Sequence, residues 1–224
     1  PDDVGQRGER AVDAILTATR DNMMRRLRPR ARGVRKIPFQ KIIAYWLNEL
    51  GLIRDFRLEE IATGTNLYRA IVKTSPFSVP TALPEVGFGV SQVLPALVLL
   101  YYVPEGSTVL MEQPEIHLHP AVQSGLADVM LNVATVRNLR IVVESHSEHL
   151  MRRLQRRVAE ERASSEDVKL YFVSSNRGAA QLDDLRLNEW GEIENWPEHF
   201  FGDEMGEIAA ITEASLKRKL EQTG

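Results

Sequence analysis

The chain has 224 residues, of which 43% are hydrophobic and 26% are charged, and its formal net charge is −3. This composition is that of a globular protein long enough to bury a sizeable core, and it excludes a disordered chain. The chain has no cysteine and no uncharged apolar run of about 18 residues, so disulfides, thiolate zinc sites and membrane spans are excluded and a cytoplasmic protein is expected.

The first 83 residues are predicted to form a helical and β-hairpin region. Apolar residues recur at three- and four-residue intervals in ERAVDAILTATRDNMMRRL (9–27), which predicts an amphipathic helix. A second helix is predicted for PFQKIIAYWLNELGL (38–52), since it starts with proline and stops at Gly51. FRLEEIA (56–62) and LYRAIVK (67–73) alternate apolar and polar residues and are expected to pair as strands.

Residues 84–175 change to alternating helices and continuous apolar strands. Helices are predicted from Ser91 to Tyr102, after Pro120 and over 147–161, and strands over 107–111, 139–144 and 168–174. This alternation predicts an α/β fold with a parallel sheet flanked by helices on both faces. Residues 176–224 are predicted to add a β-hairpin that turns at Gly191 and a C-terminal helix.

Two of the predicted strands end in polar residues. The strand STVLM runs into Glu112, Gln113, Pro114 and Glu115, and the strand LRIVV runs into Glu144, Ser145, His146 and Ser147. Chemistry in a parallel sheet is located at the carboxyl ends of its strands, so neighbouring strands would bring these two groups within side-chain reach. An acid in this position can hold Mg²⁺ beside a phosphate, and a histidine can donate to a phosphoryl group.

A glycine-rich segment, VGFGVSQ (86–92), directly precedes the predicted helix at Ser91. Glycine backbone, a hydroxyl and the amino-terminal end of a helix together favour an anion. The order of these features is glycine–serine loop, helix, acidic strand end and histidine strand end.

That order resembles the C-terminal half of an ABC-type ATPase head, in the soluble branch that includes SMC-like and RecF-like proteins and the overcoming-lysogenization-defect nucleases. The resemblance covers residues 84–175, and it extends to the long acidic motif EQPEIHLHP (112–120). It implies a P-loop NTPase fold, ATP and Mg²⁺ as cofactors, and a second ATPase protomer as partner.

The resemblance also implies roles for individual residues. Gly87, Gly89 and Ser91 correspond to the signature motif, which faces the nucleotide of a second protomer. Glu112 corresponds to the Walker B acid on the magnesium side, Gln113 to the catalytic glutamate, HLHP with His119 to the dimer-facing D-loop, and His146 to the switch histidine.

The sequence departs from the family pattern at two positions and lacks one motif. Gly87 stands where the signature has serine, and Gln113 can orient water but cannot accept its proton, so slow hydrolysis is expected unless Glu115 substitutes as the base. None of the six lysines follows a glycine, so the chain has no G-x-x-x-x-G-K-[ST] motif for the phosphates. The resemblance therefore implies that the P-loop lobe lies outside this chain.

The expected function is an ATP-binding, slowly hydrolysing dimeric switch in DNA or RNA processing or phage defence. One alternative is a non-catalytic regulatory or scaffold subunit that gates a partner nuclease or other effector, which Gln113 favours. Another is a metallohydrolase that uses His117, His119, His146 or His149 with a carboxylate.

Two arginine-rich stretches raise the question of nucleic acid. RRLRPRARGVRK (25–36) has seven basic residues and no acid, which predicts either a solvated helix end or a phosphate-backbone contact. The arginines at 152, 153, 156 and 157 lie beside glutamates at helical spacing, so they are expected to form a salt-bridged surface.

Overall fold

The structure is a computed structural model that describes residues 4–5, 8–28, 35–61, 68–85, 88–176 and 178–197, with 211, 212, 214, 215 and 218. It divides into two compact units, residues 1–154 and 155–224. The predicted boundaries after residues 83 and 175 differ from this division and stay a prediction. Of the helices in the described part, none is both long and apolar enough to cross a membrane.

Helices and strands alternate along most of the described chain. The helices are α1 (Ala11–Arg20), α2 (Phe39–Glu49), α3 (Phe88–Tyr102), α4 (Pro120–Arg137) and α5 (Glu148–Ala159), with a 3-10 turn at Leu83–Glu85. The strands are β1 (Met24–Arg25), β2 (Ile37–Pro38), β3 (Asp55–Glu60), β4 (Tyr68–Lys73), β5 (Thr81–Ala82), β6 (Thr108–Glu112), β7 (Arg140–Glu144), β8 (Leu170–Asn176) and β9 (Ala179–Leu185). Residues 211, 212, 214, 215 and 218 are helical, and the rest of the predicted C-terminal helix lies outside the described residues.

The predicted α/β fold class is confirmed in the first unit, whereas the predicted cover on both faces of the sheet is wrong for the described residues, because Leu110 and Val142 on one face are exposed. Strands β6 and β7 pair in parallel, with α4 as the connection between them. The predicted pairing of the two amino-terminal strands is also confirmed, since β3 and β4 are antiparallel and β4 pairs in turn with β5.

The predicted third parallel strand is wrong, because β8 pairs with β9 in an antiparallel hairpin. The hairpin turns between Asn176 and Ala179, where Gly178 takes a φ of +82°. A two-residue connection forces antiparallel pairing, whereas a parallel strand needs a long crossover. Gly191 does make the predicted turn, with φ +78° and a bridge from Leu187 to Ile193, but β9 does not pair with the segment after it.

The core of the first unit surrounds α3. This helix is apolar on all sides, and the buried side chains along it include Val93, Leu97, Leu100 and Tyr101. It starts at Phe88, three residues before the predicted start, so Gly89 lies within its first turn. A Cβ atom at Gly89 would lie 3.2 Å from Leu52 Cδ2, which explains why glycine suits this close contact.

Two arginines cap the carboxyl end of α3. Arg137, which is almost fully buried on α4, donates from its two terminal nitrogens to the carbonyls of Leu100 and Val103. Arg25 on β1 donates to the carbonyl of Tyr101 at 2.8 Å and to that of Tyr102 at 3.4 Å. The last carbonyls of a helix have no partner within it and carry partial negative charge, so both cations stabilise this end.

Burial, with the nearby Arg25 charge as the second cause, lowers the pKa of Arg137 to about 10. The guanidinium therefore remains protonated at neutral pH. Its charge is matched by the helix carbonyls that it contacts, which offsets part of the cost of removing it from water.

A chain of hydrogen bonds through Tyr101 connects three helices. Trp46 on α2 donates from its indole N–H to the Tyr101 oxygen at 2.6 Å, and the Tyr101 hydroxyl donates to Asn132 Oδ1 on α4 at 2.7 Å. The Asn132 amide donates to the Leu27 carbonyl at 3.0 Å. Burial raises the pKa of the Tyr101 phenol, so the hydroxyl stays a donor, and the chain fixes how α2, α3 and α4 pack.

We expect Arg137→Met to lower the free energy of unfolding by about 3 kcal/mol, because two charge-assisted hydrogen bonds are lost and buried carbonyls are left without a partner. Arg140→Met is the matched control, since Arg140 is an exposed residue of β7, and should change stability by less than about 0.5 kcal/mol. Urea denaturation measures both. Equal stabilities for the two variants would contradict the capping role.

Candidate nucleotide-binding site

The carboxyl ends of β6 and β7 lie side by side. In the parallel pair Glu112 is the register partner of Glu144, and both side chains are exposed. The prediction that these two strand ends meet is confirmed. Like charges in register repel one another, so this end of the sheet favours a cation between the two carboxylates.

Gln113 begins a sharp turn directly after β6. Its backbone N–H donates to the Glu144 carbonyl at 2.8 Å, and its own carbonyl accepts from the N–H of Ile116 at 3.1 Å. Its φ is +44°, in the left-handed region that is uncommon for residues other than glycine. Such backbone strain costs on the order of 1 kcal/mol and occurs often at functional sites.

Glu115 lies in this turn and is buried, with 5% of its surface exposed. Its Oε1 accepts the hydroxyl of Ser145 at 2.6 Å and the backbone N–H of His146 at 3.0 Å. Oε2 is also buried, and no donor in the described part of the chain reaches it. Glu115 thus faces into the protein toward the loop after β7, whereas a general base must lie within hydrogen-bond reach of the attacking water. Its predicted role as a substitute base stays a prediction.

His146 points outward from the loop after β7, with 80% of its side chain exposed. Its Nε2 atom lies 3.3 Å from Oε1 of Glu144. A ring held in this way, beside the Glu144 carboxylate, can donate to a ligand that binds over the strand ends.

Ser147 connects the same loop to α4 and α5. Its hydroxyl accepts the N–H of Leu150 at 3.0 Å, which is the usual arrangement at the first turn of a helix, and donates to Oε1 of Gln123 at 2.6 Å. The Gln123 amide in turn donates to the carbonyl of Leu118 at 2.9 Å.

The two histidines of HLHP occupy different positions. His117 is exposed and has a φ of +63°. His119 is exposed and caps α4, because its Nδ1 accepts the N–H of Ala121 at 3.3 Å and Pro120 follows at the first helical position. The exposed capping position is compatible with the predicted dimer-facing role of His119.

Two of the three predicted signature residues, Gly89 and Ser91, belong to the start of α3. Gly87 lies outside the described residues, Gly89 is in the first helical turn, and Ser91 is exposed on the same helix. The first N–H groups of a helix have no partner within it and attract anions. The described hydrogen bonds join the residues at the ends of β6 and β7 to each other. None of them joins the first turn of α3 to these strand ends.

The alternative of a His and carboxylate metal centre has no support in the described residues. No three of their histidines, aspartates and glutamates come together in a group that could hold a metal ion. His117, His119, His146 and His149 are all described, so this result bears on each of them.

The two arginine-rich stretches differ in the structure. Within 25–36, Arg25 is used to cap α3, and residues 29–34 lie outside the described residues. The predicted salt-bridged surface on α5 is confirmed, since the four arginines form the ion pairs Arg152–Glu148, Arg153–Asp128, Arg156–Glu160 and Arg157–Glu160. The paired Arg157 and Arg156 side chains lower the pKa of Glu160 to about 2.

Sequence reasoning did not assign site roles to Glu144, Ser145, Ser147 or Gln123. The first three lie in the ESHS segment, whose position at a strand end is a usable signal. Gln123 carried no signal, because its contact with Ser147 joins residues of two helices that only the tertiary fold brings together.

Comparison with known proteins relates the chain to a family of AAA domains. Residues 18–152 match the family model described as "AAA domain, putative AbiEii toxin, Type IV TA system", and residues 164–211 match one described as "Protein of unknown function (DUF3696)". No curated protein sequence matches the chain at a significant level.

Two solved structures of SMC proteins match part of the chain, and the first of them is similar in fold. One is described as "Structural biochemistry of ATP-driven dimerization and DNA stimulated activation of SMC ATPases"; it is 14% identical, has a TM-score of 0.51, and the match covers 66% of this chain and 83% of that one. The other, described as "Crystal structure of the SmcHead bound to the C-winged helix domain of ScpA", is 12% identical with a TM-score of 0.49, and the match covers 67% of this chain and 43% of that one. The family match and the first structure confirm the resemblance to an SMC-like ATPase head.

We expect Ser147→Ala to lower the free energy of unfolding by about 1 kcal/mol, because the capping bond to Leu150 is lost. Ser124→Ala is the control, since the Ser124 hydroxyl makes only a 3.3 Å exposed bond to the His149 carbonyl, and it should have an effect below about 0.5 kcal/mol. Denaturation monitored by circular dichroism compares the two. A larger loss for Ser124→Ala would contradict the capping assignment.

Proposed function

This chain belongs to the family described as "AAA domain, putative AbiEii toxin, Type IV TA system", and we propose that it is one half of an ATPase head that binds ATP together with a second protomer. It is an ATPase-like P-loop domain related to SMC ATPase heads. The observation that carries the proposal is the alignment of Glu112, Gln113 and His146 at the adjacent ends of two parallel strands.

The residues at these strand ends fit Mg²⁺ that is shared with nucleotide phosphates. Mg²⁺ is usually held by one or two carboxylates together with phosphate oxygens and water, and Glu112 with Glu144 supplies such a pair of exposed carboxylates. When bound, the ion would neutralise charge on the phosphates. This arrangement needs no centre built from three or more protein ligands, in keeping with the described residues.

Each residue of the site has a separate task in the proposed reaction. Gln113 orients the attacking water, His146 donates to the terminal phosphate, and Glu144 keeps the His146 ring in place. Gly89 and Ser91 at the start of α3 present N–H groups and a hydroxyl to the nucleotide held by the other protomer. His119, at the exposed start of α4, contacts the second protomer.

The site also needs a P-loop, and the parallel pair has a face for the lobe that carries it. Leu110 and Val142 are register partners on one face, and they are 73% and 58% exposed. Parallel sheets occur almost only with both faces covered. We therefore propose that a lobe with the P-loop packs on this face.

Hydrolysis is slow in this proposal because Gln113 has no basic group. A slow cycle suits a switch whose closed, ATP-bound state permits an event on nucleic acid or on an effector such as a nuclease. The segment 25–36 is the proposed nucleic-acid contact. A role in a toxin system is suggested by the family description, and a role in phage defence is a further part of the proposal.

The second candidate is a regulatory subunit that binds ATP without turning it over. The glutamine at position 113 favours this candidate, because its side-chain amide cannot accept a proton. In that case the exposed strand ends would sense nucleotide and the partner would perform the chemistry.

In the protein that carries both lobes, we expect Gln113→Glu to raise the ATPase kcat at least about tenfold, since it restores a base. His146→Ala should lower kcat about 100-fold with little change in ATP affinity. Gln181→Glu and His149→Ala, at exposed positions of β9 and α5, are the matched controls. Steady-state phosphate release measures all of them.

Unchanged turnover in Gln113→Glu would show that the missing base does not limit the rate. Full activity in His146→Ala would remove the switch assignment. ATP binding without turnover in both the wild type and Gln113→Glu would favour the regulatory subunit.

We expect Leu110→Asp to weaken ATP binding by the two lobes expressed together at least about tenfold, because a charge is buried beneath the incoming lobe. The stability of this chain alone should change by less than about 0.5 kcal/mol, as for other exposed positions. Val79→Asp, at a residue that is 77% exposed outside this face, is the control. Titration with a fluorescent ATP analogue measures the affinity of both variants. Equal affinities for Leu110→Asp and Val79→Asp would argue against docking on this face.

A further inference from the structure

The turn after β6 and the loop after β7 are joined beneath the exposed site. Glu115 in the turn accepts both the Ser145 hydroxyl and the His146 backbone N–H on a single oxygen, at 2.6 and 3.0 Å. The N–H of Ser147 then donates to the Ser145 hydroxyl oxygen at 3.0 Å. Three successive residues of the loop are therefore held, directly or through one step, by one buried carboxylate.

A second connection runs through Gln123 on α4. It donates to the Leu118 carbonyl in the turn and accepts the Ser147 hydroxyl in the loop. Leu118 directly precedes His119, and Ser147 directly follows His146. The proposed dimer-facing residue and the proposed switch residue are thus connected by two independent sets of hydrogen bonds, through Glu115 and through Gln123.

The burial of Glu115 distinguishes a positioning role from a catalytic one. The carboxylate is 5% exposed, and its bonded oxygen serves two donors of the loop. The exposed His146 ring contacts Glu144, and the backbone that carries the ring, from Ser145 to Ser147, is held by Glu115. Buried acceptors that satisfy backbone donors define the geometry of a loop strongly, because an unsatisfied donor is costly.

We propose that Glu115 is a positioning residue that holds His146 at the nucleotide, and that Glu115 and Gln123 make the turn 113–119 and the loop 145–147 move as one unit. A displacement of His119 on contact with a second protomer would then be passed to His146. The effect on turnover rests on the proposed function, whereas the effect on the loop does not.

The substitution of Glu115 by glutamine separates the two roles. The amide oxygen of Glu115→Gln can still accept from Ser145 and His146, and its NH₂ group replaces the oxygen that no described donor reaches. Glu115→Ala removes the one oxygen that accepts both hydrogen bonds. A catalytic base would lose its function in both variants, while a positioning residue would be rescued by glutamine.

The first measurement uses this chain and needs no ATPase activity. Hydrogen exchange of the His146 amide should become at least about tenfold faster in Glu115→Ala, because its acceptor is lost, and should stay within about threefold of wild type in Glu115→Gln. Gln123→Ala should also speed exchange of the Leu150 amide. That amide donates to the Ser147 hydroxyl, and the substitution removes the Gln123 oxygen that fixes the orientation of this hydroxyl. Glu105→Ala, at an exposed turn, is the matched control and should change neither amide.

The second measurement is the ATPase kcat of the protein with both lobes. Glu115→Ala should lower kcat about 100-fold with ATP affinity within about threefold, while Glu115→Gln retains activity within about threefold. In a His146→Ala background, Glu115→Ala should cause no further loss, because it acts through His146. A merely structural effect would instead add to that of His146→Ala.

Loss of activity in Glu115→Gln with normal His146 exchange would overturn the proposal in favour of a catalytic carboxylate. Unchanged exchange in Glu115→Ala would also overturn it. If the wild type shows no ATP turnover, the proposed function fails, and the exchange rates alone decide whether Glu115 positions the loop.

Discussion

The packing of the first unit depends on the capping of α3 by buried arginine. A long apolar helix in the centre of a core has terminal carbonyls with little access to water, and leaving them without donors is costly. Arg137 and Arg25 supply those donors from α4 and β1. Because the Tyr101 hydroxyl also connects α2 and α4, one helix end determines how these elements meet.

This arrangement also bears on the position of the candidate site residues. Helix α3 carries Gly89 and Ser91 at its amino end, while its capped end holds α4, the connection between β6 and β7. Parallel pairing of β6 with β7 then brings two acidic strand ends into register. The position of the candidate site therefore depends in part on packing contacts outside it.

The residues at the strand ends divide into an exposed group and a buried group. Glu112, Glu144 and His146 face solvent and are available to a ligand, whereas Glu115 and Gln123 face inward and satisfy loop donors. In the EQPE motif the two acidic residues thus have different environments although they are three positions apart. The left-handed backbone at Gln113 is what turns the second of them toward the core.

Much of this could be predicted from the sequence, because apolar periodicity and strand–helix alternation are local properties. The pattern determined the helices, the neighbouring strand ends and the family resemblance, and the paired arginines of α5 followed from their spacing. Tertiary structure decided what depends on contacts distant in sequence. An apolar run fits a parallel sheet or a hairpin equally well, and only the tertiary structure shows that β8 pairs with β9. Burial decided that Glu115 faces Ser145 and His146, because a carboxylate's role follows from its surroundings and not from its motif.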